Sequence, residues 1–146
     1  MNPILPKSTL RRSALAGLAG ALALTASLAL ADDVKLKLTG AEEVPAVTTS
    51  ATGSGTITIK DKAVSGSVKT TGVEGVAAHI HQAAAGKNGP PIITLVKGAD
   101  GTWTVPTDAA LTDAQLAAYK AGELYVNVHS AANKGGELRA QLQPSK

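Results

Sequence analysis

Short segments of alternating apolar and polar residues, separated by turn-forming residues, constrain the fold of this chain most. Residues 34–38 read Val-Lys-Leu-Lys-Leu and residues 56–60 read Thr-Ile-Thr-Ile-Lys. This period of two is typical of strands that bury one face and leave the other in water. About eight such segments follow one another after residue 32, which predicts an all-β domain, a β-sandwich or a flattened barrel.

A single helix is predicted within this pattern. Thr112 and Gln115 have the spacing of a capping box, Leu111 and Leu116 stand at hydrophobic staple positions, and Gly122 stands where a helix ends. The predicted helix is short, and we expect it to cover one edge or end of the sheets.

The first 31 residues have the organisation of a cleavable signal peptide. Lys7, Arg11 and Arg12 precede an apolar run that ends in Ala29-Leu30-Ala31. An uncleaved membrane anchor is the alternative, but the run is rich in alanine and at the short end of the ~20 apolar residues that a span needs. We therefore predict a signal peptide over residues 1–31, a domain over 32–146 without a membrane span, and a periplasmic or secreted location. The arginine pair leaves both twin-arginine and ordinary export open.

Charge and cysteine content exclude several classes of protein. Three of the fourteen basic residues lie in the predicted leader and all eleven acidic ones lie after it, so the remaining domain is formally neutral. No nucleic acid or other polyanion is therefore expected as a partner. The chain has no cysteine, which excludes disulfides, thiolate metal sites and cysteine nucleophiles.

The core must be built almost entirely from aliphatic residues. The chain has no phenylalanine, two tyrosines and one tryptophan, and β-branched side chains suit strands. We expect Trp103 to be a buried anchor whose indole N–H is hydrogen-bonded.

The three histidines are the best functional lead. His79 and His81 lie two residues apart in a predicted strand, so both point away from the face that carries Val76, Ala78 and Ile80. His129 lies on the corresponding polar phase of its own strand, which buries Leu124, Val126 and Val128.

Three neutral imidazoles suit copper or zinc and leave a coordination position open. Ligating imidazoles usually donate their other N–H to an oxygen, and four residues are predicted to support the site: Tyr125, Asn127, Glu137 and Arg139. The alternative is that His79 and His81 bond to loop backbone while His129 packs elsewhere, because the sequence alone does not bring the two strands together. The pair Glu42-Glu43 is interpreted as part of a solvated surface loop.

Five motifs, in this order, resemble the CHRD (chordin) domain family, and the resemblance runs from about Lys35 to Leu142: Leu38-Thr39-Gly40-Ala41-Glu42-Glu43-Val44-Pro45; Ala51-Thr52-Gly53; His79-Ile80-His81 with Asn88-Gly89-Pro90; Ala121-Gly122-Glu123-Leu124-Tyr125-Val126-Asn127-Val128-His129; and Gly136-Glu137-Leu138-Arg139-Ala140-Gln141-Leu142. The chain departs from the usual pattern at Gln82-Ala83, where Gly-Pro commonly follows the histidine pair.

The resemblance implies an extracytoplasmic β-sandwich, found alone in bacteria and repeated in animal chordin proteins that bind secreted growth factors. The His-x-His strand is also similar to the copper strand of copper/zinc superoxide dismutases, which implies a Greek-key fold like theirs. This chain lacks their further histidines, bridging ligand and disulfide, so a binuclear dismutase is not expected.

Three functional hypotheses follow. The first is an exported metal-binding module, copper before zinc, with His79, His81 and His129 as ligands. The second is a metal-free module that binds a secreted or surface protein or a surface polymer. The third is a mononuclear copper redox enzyme that uses the same three histidines and an open coordination position.

Overall fold

A computed structural model describes residues 30–145. The predicted signal peptide lies outside the described residues, apart from its last two. The described chain contains nine strands, a 3-10 turn at Gly40–Glu42 and one helix, α1, at Asp113–Lys120. The strands are β1 (Asp32–Leu38), β2 (Thr52–Lys60), β3 (Ala63–Thr71), β4 (Gly75–Gln82), β5 (Pro91–Thr94), β6 (Val96–Lys97), β7 (Thr102–Thr104), β8 (Leu124–Ser130) and β9 (Leu138–Leu142).

The strands form two antiparallel sheets, and the prediction of an all-β sandwich is confirmed. The first sheet has the order β1-β2-β3-β7-β6 and the second β5-β4-β8-β9. The chain passes between the sheets after β3, after β5 and after β7, so its connections are of the Greek-key kind. The described residues form two separate sheets, which rules out the flattened barrel.

Apolar side chains from both sheets fill the space between them. The alternation predicted for β1 is present, since Val34, Leu36 and Leu38 are buried while Lys35 and Lys37 are exposed. In the second sheet the inward positions of β4 and β8 are fully buried: Ala78, Ile80, Leu124, Val126 and Val128. This inward packing turns the intervening polar side chains of β4 and β8 to the outer face of the sheet.

Trp103 is the buried anchor that the sequence predicts, with 2% of its surface exposed. The expectation of a hydrogen-bonded indole is wrong, because its Nε1 has no hydrogen-bond partner among the described residues. The ring packs so closely on Gly75 that a Cβ there would lie 2.7 Å from Trp103 Cζ2.

Two strand predictions need correction. The run Ile-Ile-Thr-Leu-Val at residues 92–96 has the composition of a single strand, and the sequence predicts one there. The chain instead changes sheets at Leu95, whose N–H donates to the Ala78 carbonyl at 2.9 Å. Val76 is predicted to face the core but is 56% exposed, because the pairing of β4 with β8 shifts between Gly75 and Ala77. A bulge of this kind changes which side chains face the core.

The helix α1 has the predicted caps. The Thr112 hydroxyl accepts from the Gln115 N–H, the Gln115 side chain accepts from the Thr112 N–H, and Gly122 follows the helix with φ +73°. Tyr119 of α1 donates from its hydroxyl to the Asp32 carboxylate, which also accepts from the Ser145 N–H at 3.1 Å. The two ends of the domain therefore meet beside the helix. Among residues 30–145, no helix has the length and apolar character needed to cross a bilayer.

Candidate metal centre

Strand pairing in the second sheet brings the three histidines together. His79 and His81 project from the outer face of β4, and β8 pairs antiparallel with β4, so that His79 faces Asn127 and Ala77 faces His129. His129 is therefore a diagonal neighbour of His79 on the same face. The ring centroids are 5.4 Å apart for His79 and His81, 5.0 Å for His79 and His129, and 5.8 Å for His81 and His129.

Nitrogen atoms of the three rings converge on one point. One ring nitrogen from each histidine lies within 4.8 Å of the other two. The closest pair is His79 Nδ1 and His129 Nε2 at 3.0 Å, a hydrogen-bonding distance. The prediction that the two strands deliver their histidines to a common point is confirmed, and the group is close enough to hold a metal ion.

Backbone carbonyl oxygens orient two of the rings. His81 Nδ1 lies 2.9 Å from the Gly89 carbonyl oxygen, and His129 Nδ1 lies 2.8 Å from that of Lys134. A carbonyl oxygen only accepts, so both Nδ1 atoms carry the proton. In a neutral ring the lone pair then lies on Nε2, the nitrogen that a metal ion binds.

The lone pair of His81 has no protein partner. His81 Nε2 is buried and makes no hydrogen bond to the described residues. Leaving a buried acceptor unpaired costs free energy, on the order of 1–3 kcal/mol. A bound cation would satisfy this atom.

Burial favours the neutral forms of His79 and His81. Desolvation lowers the pKa of His79, and His129 and His81 lower it further. Desolvation is also the largest effect on the pKa of His81, and it lowers this pKa. The hydrogen bond to the Gly89 carbonyl raises the pKa of His81, whereas His129 and Arg139 lower it. At neutral pH both rings therefore present lone pairs rather than charge, as metal ligands must.

A stack of three side chains supports His81 from behind. The Tyr125 ring lies parallel to the His81 ring, with centroids 4.9 Å apart and planes 10° apart. The Arg139 guanidinium lies over the Tyr125 ring, 3.5 Å from its centroid. Cation–π attraction holds such an arrangement, and it is stronger in a desolvated site. Tyr125 and Arg139 are 2% and 1% exposed, so both side chains of the stack are buried.

The loop after β4 is tied to this stack. The Gly89 N–H donates to the Tyr125 hydroxyl at 3.1 Å, while the Gly89 carbonyl accepts from His81. The Arg139 guanidinium donates to Asn88 Oδ1 at 3.3 Å and to the Ala84 carbonyl at 3.4 Å. Arg139 and Tyr125 thus position the carbonyl that orients His81.

The other two predicted supporting residues lie in the same layer but make different contacts. The Asn127 amide donates to Glu43 Oε1 at 2.5 Å. Glu137 accepts from the Thr49 hydroxyl at 2.7 Å and from Asn133 at 3.2 Å. None of the four predicted supporting side chains hydrogen-bonds an imidazole in the described structure. The oxygens that hold the rings belong to the backbone, which side-chain chemistry in the sequence does not reveal.

Glu43 lies in the same polar layer as Asn127, and its burial is not predicted by the sequence. It is 5% exposed rather than solvated. Burial raises its pKa to about 7, against the lowering effects of the Arg139 charge and the Val44 N–H. Glu43 and Asn127 can meet because residue 136 is a glycine (φ +133°). A Cβ at Gly136 would lie 2.1 Å from Asn127 Nδ2. The sequence signal for this contact was the Gly135-Gly136 pair before β9, which marks a close backbone approach.

Loops cover the outer face of the second sheet, so β8 is buried on both sides. Thr39 bridges to Arg139, with the Thr39 N–H and the Arg139 carbonyl 3.1 Å apart, and this draws the 40–50 loop over the sheet. Six of the seven β8 residues are buried, and only His129 is intermediate. The candidate site therefore lies where the polar layer is partly open to solvent, at His79 and His129.

Comparison with known proteins gives one positive result. No curated protein and no solved structure matches the chain. The family model for the CHRD domain matches residues 34–142, which covers both sheets and all three histidines. The chain therefore belongs to the CHRD domain family.

Proposed function

We propose that the protein is an exported metal-binding module that holds copper, or less favourably zinc, through His79, His81 and His129. One observation carries the proposal: three ring nitrogens lie within 4.8 Å of one another in a solvent-accessible part of a covered sheet. A buried His81 Nε2 without a partner among the described residues supports it.

The donor set favours copper over zinc. Three imidazoles suit either ion, but copper binds nitrogen sites more tightly along the Irving–Williams series. The 3.0 Å separation of His79 Nδ1 and His129 Nε2 suits an ion bonded to each at ~2.0 Å. Without metal, the His79 Nδ1–H donates to His129 Nε2; on binding, this proton moves to His79 Nε2 and the ring stays neutral.

The titration that tests the proposal uses the purified protein with Cu²⁺ and Zn²⁺ separately, followed by isothermal calorimetry. We expect one equivalent of Cu²⁺ to bind with a dissociation constant below micromolar, and Zn²⁺ to bind more weakly. His79→Gln, His81→Gln and His129→Gln should each weaken Cu²⁺ binding by roughly 10- to 100-fold or more. Glu123→Gln, which removes an exposed carboxylate outside the site, is the matched control and should bind as the unaltered protein does.

Electron paramagnetic resonance of the Cu²⁺ form gives a second measurement. Nitrogen hyperfine coupling from three imidazoles is expected in the unaltered protein and from two in each variant. Binding that is equally strong in all three histidine variants, or that is lost in Glu123→Gln, contradicts the proposal.

Export is a separate part of the proposal. The leader pattern in residues 1–31 supports it, and so does the start of β1 at Asp32, directly after the predicted cleavage site. Expression of the full chain in a Gram-negative host, followed by fractionation and amino-terminal sequencing, should give a periplasmic product that starts at Asp32. Full-length protein retained in the cytoplasm contradicts export.

A further inference from the structure

The outer face of the first sheet is the second chemically distinctive surface. Every second residue of a strand points outward, and in the central part of this face all of these residues are polar. They are Asp33, Lys35, Lys37, Thr52, Ser54, Thr56, Thr58, Ser65, Ser67, Lys69, Thr71, Thr102 and Thr104. We call this surface the hydroxyl–lysine face. It carries no aromatic side chain, and the one large apolar side chain that the strands of this sheet turn outward, Val96, lies beside Thr104 on the edge strand β6.

Three lysines gather at one end of the hydroxyl–lysine face. Lys37 on β1 faces Ser54 on β2, and Ser54 faces Lys69 on β3, so two strand spacings of about 4.8 Å separate Lys37 from Lys69. Lys35 lies two residues before Lys37. The ion pairs among the described residues involve Lys62 and Lys97, not these three. The local charge is therefore positive in a domain that is neutral as a whole. The expectation that no polyanion binds rested on the net charge alone, and this cluster of lysines is the reason to revise it.

Two depressions flank Lys37. One, of about 440 Å³, lies between Lys37 and Lys69 and is lined by the hydroxyls of Thr52, Ser54 and Thr71. The other, of about 450 Å³, lies around the β1 edge and is lined by Lys35, Lys37 and Gln141 together with the acidic Glu42. Lys37 lines both depressions, which suits an extended ligand that crosses β1.

Protection of the sheet edge explains only part of this pattern. Exposed lysines on an edge strand deter pairing with other chains, and β1 is an edge strand. Lys69, however, lies on β3 in the interior of the sheet, where no edge needs protection. The one carboxylate of the face, Asp33, accepts from the Thr58 hydroxyl at 2.7 Å and does not pair with the lysines.

We propose that the hydroxyl–lysine face binds an acidic polysaccharide. Lys35, Lys37 and Lys69 pair with its anionic groups, and the threonine and serine hydroxyls form hydrogen bonds with its sugar hydroxyls. Charge complementarity selects the anion. Single-stranded nucleic acid is disfavoured because no aromatic side chain is present to stack on bases. A lipid surface is disfavoured because Val96, at the far edge of the sheet from Lys37, is a single apolar side chain and not an apolar surface that could insert. This site lies on the opposite sheet from the histidines and does not depend on them.

Binding to immobilised dextran sulfate, with neutral dextran and polyphosphate as comparison polymers, tests the proposal. We expect the purified protein to bind dextran sulfate in low salt and neutral dextran not at all. Lys37→Gln/Lys69→Gln should weaken binding at least tenfold and lower the slope of log affinity against log salt by about 1 to 2. The control Lys87→Gln/Lys120→Gln removes two exposed lysines elsewhere and should change affinity less than twofold.

Three outcomes overturn the proposal. The first is no binding to dextran sulfate in low salt, and the second is equal weakening by the two double variants, which would mean that only overall charge matters. The third is tighter binding of polyphosphate than of dextran sulfate, which would mean that the hydroxyls do not select a sugar. Circular dichroism of both variants confirms that they are folded, since all four substituted lysines are exposed.

Discussion

At the scale of single residues, Glu43 is the most unusual feature of the domain. A buried carboxyl in the folded state, with its pKa raised to about 7 from an ordinary 4.5, holds its proton more tightly than it does in the unfolded chain. The unfolded state therefore loses this proton first as pH rises, and the folded state loses stability between about pH 4.5 and pH 7. Glu43 lowers stability at neutral and alkaline pH.

Glu43→Gln is expected to stabilise the protein above pH 7. The glutamine carbonyl can still accept from Asn127, and no charge is buried. The free energy of unfolding should rise by roughly 2 to 3 kcal/mol at pH 8 and change little at pH 4.5. Urea denaturation at both pH values measures this, and a variant that is less stable than the parent at pH 8 contradicts the assignment.

Gly136 and Gly135 form a matched pair for testing the close approach beside Glu43. An alanine Cβ at Gly136 would lie 2.1 Å from Asn127 Nδ2 in a backbone with φ +133°, whereas at Gly135 it would meet nothing within 4 Å. Gly136→Ala should destabilise the protein by about 3 kcal/mol or more, and Gly135→Ala by less than about 1 kcal/mol. Thermal denaturation compares the two, and similar melting temperatures would refute the assigned packing.

The sequence predicts the face of the sheet on which each histidine lies, but it does not predict the burial of Glu43. His79, His81 and His129 lie in strands, where a period of two determines the face on which each side chain lies. Glu43 lies in a loop without periodicity, and its polar neighbours indicated solvent. Its burial depends on Asn127, 84 residues further along the chain, a contact that only the tertiary structure creates.

At the scale of elements, two loops determine the geometry of the histidine cluster. The segment after β4 supplies the Gly89 carbonyl to His81, and the turn after β8 supplies the Lys134 carbonyl to His129. The strands bring the rings to one face, while the loops select the nitrogen that carries the proton.

Gly89→Ala should therefore weaken metal binding without touching a histidine. A Cβ at Gly89 would lie 1.9 Å from the Gln82 carbonyl oxygen, so the loop must move and carry its own carbonyl away from His81. We expect Cu²⁺ affinity to fall about tenfold. Gly86→Ala is the control in the same loop, because its Cβ meets nothing within 4 Å and only its φ of +75° is strained, which costs about 1 kcal/mol. Calorimetric titration measures both, and equal affinities would show that the Gly89 carbonyl does not orient the ligand.

Element boundaries were predictable where turns and caps have local signatures. The capping box of Thr112 and Gln115 fixes the start of α1 through contacts within one turn. The change of sheet at Leu95 has no such signature, because the residues on both sides are equally suited to strands. Which sheet each half joins depends on the pairing partners, β4 for β5 and β7 for β6.

At the scale of the whole molecule, the two sheets differ on their outer faces. The first sheet exposes hydroxyls and lysines. The second lies under loops that enclose Glu43 and Arg139 and leave the histidine cluster partly open to solvent. Alternation, turn spacing and the order of the motifs were enough to predict the sandwich. The covering layer was not predictable, because loops carry no period that reports their burial.

The titration of Glu43 and the titrations of His79 and His81 should change stability in opposite directions, so that stability depends little on pH where they overlap. Burial lowers the pKa of His79 and His81, so the stability linked to their neutral forms is present above the unfolded pKa of about 6.5 and is lost as pH falls below it. Glu43 changes stability in the opposite direction. We expect stability to vary little between pH 5 and 7 in metal-free protein and to rise steeply with pH in Glu43→Gln. Urea denaturation at half-unit intervals measures both slopes, and equal slopes contradict the prediction.

The contact between Asp32 and Ser145 has an architectural consequence. The first strand starts beside the last residues of the fold, so the two ends of the domain are adjacent. A domain with adjacent ends can be inserted into a loop of a host protein without separating the two sides of that loop. Copies joined head to tail would each keep both sheets intact, and a permuted chain that links these ends and opens at the turn between β6 and β7 would retain every strand.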